Sequence, residues 1–389
     1  ILILIMEELY SENQKSEPDS KPAPKIIGLT GGIGSGKTTV AKFIEDLGGS
    51  CAYVNRNQTS NLIASIGTGY EIFAFAGHVD VVPTGDIAQW TNQDPFKLHQ
   101  IGDKLIGRGV ADMKGSIAAF LQALTKFVSE NDLENYQIKL LITSDEEGSA
   151  VDGTPLMVEY LRQNNLRLNY CLVGEPSCVS QLGDTVKVGR RGSLTGELVI
   201  YGKQGHIAYP HLCLNPIHSF APALAELSTQ IWDHGNQYFP ATSLQFANLN
   251  SGLGVTNVIP GELKTNFNFR YNTEHSAASL QGQVELVLQK YNLNYSLSWN
   301  HSARPFMTQV GKLVECCSGA IKEVCGITPL LKTDGGTSDG RFLIAVSDEI
   351  IEFGVRNESI HQINEATTLA DLTNLEMIYN KLLHAIFVN

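Results

Sequence analysis

The apolar run at residues 138–143 empties directly into Ser144-Asp145-Glu146-Glu147-Gly148, and this junction constrains the fold of the chain more than any other stretch. A short buried strand that ends in adjacent carboxylates suits an open α/β sheet, in which ligands meet the polar residues just past the strand ends. Two further apolar runs end the same way. Residues 72–76 lead into Gly77-His78-Val79-Asp80, and residues 170–173 into Gly174-Glu175-Pro176-Ser177. The segments GRGVADMKG (107–115), which carries Asp112, and SIHQINE (359–365), which carries His361, have the same glycine-flanked or polar character. Two imidazoles and several carboxylates are the ligand types that a pair of borderline-hard divalent cations takes. A single Glu-Glu or His-x-Asp is an ordinary solvated turn. The coincidence of five such segments is what carries the reading.

Composition sets the limits. With 389 residues the chain is long enough for two domains, and 43% hydrophobic content supplies sizeable cores. The net charge of −12, without a Lys/Arg-rich run, argues against nucleic acid or an anionic membrane as partner. Seven cysteines (Cys51, Cys171, Cys178, Cys213, Cys316, Cys317, Cys325) and no C-x-x-C indicate neither a disulfide framework nor a thiolate zinc site. A cytoplasmic location is expected. The apolar run 1–5 is too short to span a membrane, no basic stretch precedes it, and Met6 is a candidate start.

Strand and helix patterns alternate along the chain. Residues 26–30 are expected to form a strand and 38–47 a helix; 72–76, 138–143 and 170–173 are expected as strands, and 115–128 as a helix. From about residue 192 to 304 the texture changes. Strands at 194–201 and 263–271 flank helical stretches such as 216–232, which reads as an α+β unit inserted into the first domain. Residues 305–389 return to that domain and bring His361 with them.

A co-catalytic metal pair needs a shared ligand, for which a carboxylate is suited, and a base that is not itself a ligand. Glu146 and Glu147 can divide ligation and base chemistry, because neighbours on a tight turn point different ways. Asp80, two residues after His78, lies on the same side of an extended segment. It is expected to accept the other ring N–H of His78 and fix its tautomer. His99, His218, His234, His275, His301 and His384 have no comparable setting and are read as surface or core histidines.

From about residue 48 to the C-terminus the chain resembles the succinyl-diaminopimelate desuccinylases of the two-zinc aminoacylase and carboxypeptidase superfamily. The matching runs are GHVDVVPTGD (77–86), GRGVADMKG (107–115), TSDEEG (143–148), VGEPS (173–177), GRRGSLTG (189–196), GKQGHIAYPH (202–211), GVTNVIPG (254–261), FNFRY (267–271), GGTSDGRF (335–342) and SIHQINE (359–365). The resemblance implies an α/β, zinc-peptidase-like catalytic domain (49–191 and 305–389) with an inserted α+β dimerisation, or lid, domain (192–304). It implies two Zn(2+) per subunit, with Co(2+) able to substitute. His78 and Glu175 would hold one ion and Glu147 and His361 the other, with Asp112 bridging. Glu146 would be the general base. Asp80 would support the site, and His206 would reach the partner subunit's site in a homodimer and help to hold the oxyanion. Arg190, Tyr209, Asn257, Arg270, Gly336, Thr337 and Asn357 would bind the substrate's carboxylates and backbone. Arginine forks suit an anionic succinyl group. The implied reaction is hydrolysis of N-succinyl-LL-2,6-diaminopimelate; N-acetylornithine deacetylases and aminoacylases share the same metal ligands.

The N-terminus departs from that pattern. Residues 1–24 read as a flexible lead-in. Residues 25–48, KIIGLTGGIGSGKTTVAKFIEDLG, contain the Walker A spacing Gly31-x4-Gly36-Lys37-Thr38 and resemble the opening of dephospho-coenzyme A kinase. Backbone N–H groups in such a loop cradle phosphate, so Gly36, Lys37 and Thr38 are candidate nucleotide contacts. No Walker B partner, adenine site or lid is recognisable afterwards. Two rival readings follow: a nucleotide-binding or kinase protein, and a hydrolase-like protein inactivated by its altered N-terminus.

Overall fold

The computed structural model describes residues 36–388, so the strand expected at 26–30 and the first glycine of the Walker pattern lie outside the described residues. The elements that matter here begin with α1 (Lys37–Asp46), β1 (Ser50–Arg56), β2 (Thr59–Gly67), β3 (Glu71–His78), α2 (Gly115–Glu130), β4 (Tyr136–Thr143), α3 (Thr154–Gln163), β5 (Leu168–Val173) and β6 (Thr185–Lys187). A middle group comprises β7 (Gly192–Tyr201), α4 (Pro216–Thr229), β8 (Ser243–Ser251), β9 (Glu262–Tyr271), α5 (Ala277–Lys290) and β10 (Tyr295–Ala303). The chain closes with α6 (Lys312–Cys325), β11 (Leu330–Lys332), β12 (Ser347–Glu352) and α7 (Leu369–Phe387).

The described residues divide into two compact units. One takes the chain through Gly189, Thr308–Lys332 and the residues from Ser338 onward; the other takes Arg190–Met307 and Thr333–Thr337. The first unit is built on an eight-stranded sheet in the order β1-β2-β4-β3-β5-β12-β6-β11. Its centre is parallel: β3 pairs with β4 on one side and β5 on the other, and β12 continues beyond β5. Parallel strands covered on both faces read as continuous apolar runs, and seven of the eight residues of β3, from Ile72 to His78, are buried. Phe75 stacks on Phe120 of α2 with ring centroids 4.3 Å apart, and Tyr379 of α7 meets both rings edge-on. Each such ring contributes about 1.5–3 kcal/mol by leaving water.

Helix α1 belongs to this core. Val40, Ala41, Phe43 and Ile44 share one face at helical spacing and are buried with Leu62, Ala64 and Ile66 of β2. The other unit is an antiparallel sheet, β8-β9-β7-β10. In β9, Leu263, Thr265, Phe267, Phe269 and Tyr271 alternate inward, and the apolar ones join a cluster with Phe220 and Leu227 of α4 and Leu280, Val284 and Leu288 of α5. All seven cysteines are free. No helix among the described residues is long and apolar enough to cross a membrane.

Candidate metal centre

The parallel register delivers three ligand-bearing segments to one edge of the sheet. His78, the last residue of β3, lies opposite Thr143, the last of β4, and Ala76 lies opposite Val173, the last of β5. His78, the Glu146–Glu147 turn and Glu175 therefore emerge together past the strand ends. Close packing beneath them crowds the Cβ position at two glycines. A Cβ on Gly174 would come within 2.5 Å of Phe75, and one on Gly77 within 2.7 Å of the Met113 methyl.

Asp112 arrives on the irregular turn Val110–Lys114 that precedes α2. Buried Glu365 fixes this turn, its carboxylate accepting the backbone N–H groups of Gly109, Ala111 and Asp112, each at 3.0 Å. It also takes a 2.7 Å bond from Arg108 Nη1. Glu365 was not singled out from the sequence. Breaking a buried charge pair by removing one partner costs about 3–5 kcal/mol, so Glu365→Ala is expected to destabilise the metal-free protein by that order in urea unfolding. A change below about 0.5 kcal/mol, the scale of neutral surface substitutions, would show that the carboxylate does not hold the turn.

The five ligand candidates converge as two groups that share Asp112. Asp112 Oδ1 is 3.1 Å from His78 Nε2, and Oδ2 is 3.3 Å from His361 Nε2. His78 Nε2 is also 3.7 Å from Glu175 Oε1, and His361 Nε2 is 3.0 Å from Glu147 Oε1. His361 has φ +62°, a left-handed conformation that costs a non-glycine residue energy and marks functional sites. The loop that imposes it is tied down by Asn364, whose Oδ1 accepts the Thr91 N–H at 2.8 Å and the Thr91 hydroxyl at 3.0 Å.

The electrostatics fit a cation-binding set. Burial, with the charge of Asp112 beside it, pushes Glu175 well above the usual carboxylate range and raises Glu147 to about 7. Burial raises Glu146 as well. Burial opposes charge on Asp112, yet hydrogen bonds from His361 and His78 outweigh it and hold that carboxyl below its ordinary range. The hydrogen bond to Asp112 raises His361 to about 9, and His78 is raised too, burial of its ring being outweighed by Asp112 and its acidic neighbours. Several buried carboxylates thus share one small volume with two imidazole nitrogens turned toward them. Nitrogen and oxygen donors of this kind suit a two-metal site.

Asp80 differs from its expected role. The His78 Nδ1 contact at 3.0 Å is with the Asp80 backbone carbonyl, while the carboxylate Oδ1 is 3.8 Å away. The carboxylate instead accepts the N–H groups of Glu146 and Glu147 through Oδ2, at 3.0 and 2.9 Å. The i, i+2 rule predicted the right side of the strand but not which oxygen would face the ring. Glu146 itself lies close: His78, Glu146 and Glu175 offer ligand atoms that all fall within 4.8 Å of one another, as do His78, Asp112 and Glu147. Distance alone therefore admits Glu146 as ligand or as base. Asp339, another residue the sequence reading passed over, accepts the Thr154 hydroxyl at 2.6 Å. Burial and repulsion from Glu146 raise it to about 7.

The remaining candidates are placed as follows. Asn357 belongs to the unit that carries the metal-ligand candidates, its N–H donating to the Cys178 carbonyl at 2.9 Å. Arg190, His206, Tyr209, Asn257, Arg270, Gly336 and Thr337 belong to the other unit. There Arg190 is buried and donates to the Asp334 carbonyl at 3.1 Å. His206 and Tyr209 are exposed, with ring centroids 5.7 Å apart. Asn257 is exposed on the segment whose carbonyl accepts the Ile207 N–H at 3.1 Å, and Arg270 is half-buried on β9. Of the Walker residues within the described range, Gly36 has φ +118° and Lys37 opens α1 with its side chain buried.

Comparisons with known proteins agree with this geometry. Residues 74–385 match the family described as peptidase family M20/M25/M40. A succinyl-diaminopimelate desuccinylase of Nitrosospira multiformis is 49% identical over 336 residues, covering 86% of this chain and 89% of the relative. The enzyme of the same name from Nitrosomonas europaea is 50% identical over 322 residues, covering 83% and 85%. Among solved structures, an M20 family metallo-carboxypeptidase from Sulfolobus solfataricus superposes with TM-score 0.74 at 18% identity, covering 90% of this chain and 94% of that one. A dinuclear metal-binding M20 peptidase of Bacillus subtilis does so with TM-score 0.64 at 14% identity, covering 90% and 91%. At these identities the structures speak to the fold.

Proposed function

The chain belongs to peptidase family M20/M25/M40, and on that premise we propose that it is a metal-dependent amidohydrolase that cleaves N-succinyl-LL-2,6-diaminopimelate to succinate and LL-2,6-diaminopimelate. This is a step of diaminopimelate and lysine biosynthesis. The observation that carries the metal chemistry is Asp112, whose two oxygens face two different imidazoles, each flanked by a further glutamate. The acyl group rests on the two relatives near 50% identity. Release of succinate by zinc-loaded protein, and none by metal-free protein, tests the reading.

In this reading His78, Asp112 and Glu175 hold one ion and His361, Asp112 and Glu147 the other. The ions are zinc, with cobalt able to substitute, because imidazole nitrogen and carboxylate oxygen suit both. When bound, such a pair polarises an amide carbonyl and makes water acidic enough to attack it near neutral pH. Glu146 takes the proton of the attacking water and returns it to the leaving amine. Asp80 holds the Glu146 and Glu147 amides, so base and ligand keep a fixed relation. Arg190, Arg270, Tyr209, Asn257, Gly336, Thr337 and Asn357 bind the substrate's carboxylates and backbone. His206 donates to the developing oxyanion.

The second unit serves as the dimer contact, with His206 acting on the neighbouring subunit's site. Supporting this, Ile207, Leu212, Leu214, Leu253 and Val255 of that unit are at least half exposed, as apolar side chains are on surfaces that meet a partner. Mixing His206→Ala with Glu146→Gln subunits gives hybrid dimers in which one site has both residues intact. After full exchange, activity is expected to return to roughly a quarter of wild type, since half the dimers are hybrid and each has one working site. No recovery after demonstrated exchange, or a fully active monomer in ultracentrifugation, would rule out the shared site.

A further inference from the structure

The Walker-like segment is the sequence motif that the hydrolase reading leaves unused, and its lysine points inward. Lys37 is 5% exposed at the first turn of α1. The helix is held by Val40, Ala41, Phe43 and Ile44 in the core, which fixes the backbone from which the Lys37 side chain projects. Gly36 lies against Val79, where a Cβ would sit 3.4 Å from Val79 Cγ1. Val79 is the residue between His78 and Asp80. Burial lowers the Lys37 ammonium below its ordinary range and the negative charge of Asp80 opposes that shift; burial likewise lowers Lys114 to about 8, against the charges of Asp80 and Glu365. Asp80 Oδ2 already carries the Glu146 and Glu147 amides. Its Oδ1 is buried and accepts no hydrogen bond among the described residues.

We propose that Lys37 is a positioning residue for the metal centre: its ammonium, beside Asp80, holds that carboxylate in the orientation that fixes the Glu146–Glu147 turn. A buried carboxylate needs a counter-charge, and α1 carries one to it from outside the sheet. The Walker lysine then serves as an internal counter-ion, and no MgATP binding that depends on it is expected. The inference rests on the metal centre proposed above, and its test separates the two.

The test compares wild type with Lys37→Met, Lys37→Gln and Lys37→Arg, each alone and combined with Asp80→Asn. Zinc affinity is measured by calorimetry, kcat and KM with the N-succinyl substrate, and nucleotide binding by titrating MgATP into the zinc-loaded protein. Lys37→Met is expected to lower zinc affinity or kcat by roughly 10–100-fold, the range for groups that orient metal ligands. KM should stay within about twofold, as for a group that does not bind substrate. Lys37→Arg should recover most of the loss, and Lys37→Met should add little in the Asp80→Asn background. Wild type should give no MgATP heat. If Lys37→Met does not fold by circular dichroism, Lys37→Gln takes its place with the same expectations. Unchanged zinc affinity and kcat in the folded variant, or losses that add to those of Asp80→Asn, would overturn the proposal. So would MgATP binding that the Lys37 substitution abolishes. Protein that binds zinc but hydrolyses no N-succinyl substrate would remove the proposed function and leave this inference to the zinc-affinity ratio alone.

Discussion

Glu146→Gln is expected to retain two metal ions and the wild-type fold while losing turnover by about 10²–10⁴-fold, the contribution of a positioned acid–base group. The substitution keeps size, planarity and hydrogen-bonding capacity and removes the ability to take a proton. Asp80 grips the backbone N–H of residue 146 and not its side chain, so the turn should survive the change. Burial raises the Glu146 carboxyl above its ordinary range, which brings its basicity closer to the pH at which it must both accept and return a proton. Metal content by mass spectrometry and kcat on the same sample decide the matter. Near-wild-type turnover removes Glu146 from the base role. Loss of one ion together with activity makes it a ligand, an arrangement that its closeness to His78 and Glu175 permits.

Asp112→Ala should abolish activity and metal binding together. In the proposed centre Glu175 lies beside His78 and Glu147 beside His361, whereas Asp112 presents Oδ1 to His78 and Oδ2 to His361. Removing it therefore dismantles both halves, while His361→Ala should spare the half built from His78 and Glu175. Wild type is expected to hold two ions, to lose all hydrolysis on chelation, and to regain it with zinc. Asp112→Ala protein that still binds two ions would contradict the bridging arrangement.

The metal-ligand candidates were legible because sheet geometry turns sequence order into spatial order. Apolar runs of strand length stop at His78, before Glu146 and before Glu175, and parallel pairing aligns their ends. Glu365 and Asp339 were not legible as structural groups. A buried carboxylate that holds a distant turn has no local signature, and Glu365 acts on amides more than 250 residues away in sequence. The role of Asp80 was half legible: alternation predicted its side of the strand, but its Oδ2 is taken by amides 66 and 67 residues away. The Walker pattern is only partly visible in the structure, because the residues before Gly36 lie outside the described residues. Gly36-Lys37-Thr38 keeps the last three positions of the pattern, and the helix that follows carries an apolar face of Val40, Ala41, Phe43 and Ile44 with Lys37 buried at its start.

Initial hydrolysis rates of zinc-loaded protein on N-succinyl-LL-2,6-diaminopimelate, N-acetylornithine and a series of N-acyl amino acids separate a succinyl-specific site from its alternatives. A site built to pair the charge of a succinyl carboxylate rejects an acyl group that lacks it, because its buried polar groups are left unpaired. The expected kcat/KM is at least roughly 10²-fold higher for the N-succinyl substrate than for N-acetylornithine, equivalent to about 2.7 kcal/mol of transition-state binding. Faster hydrolysis of N-acetylornithine, or no hydrolysis of any of these amides by protein shown to hold two zinc ions, would contradict it.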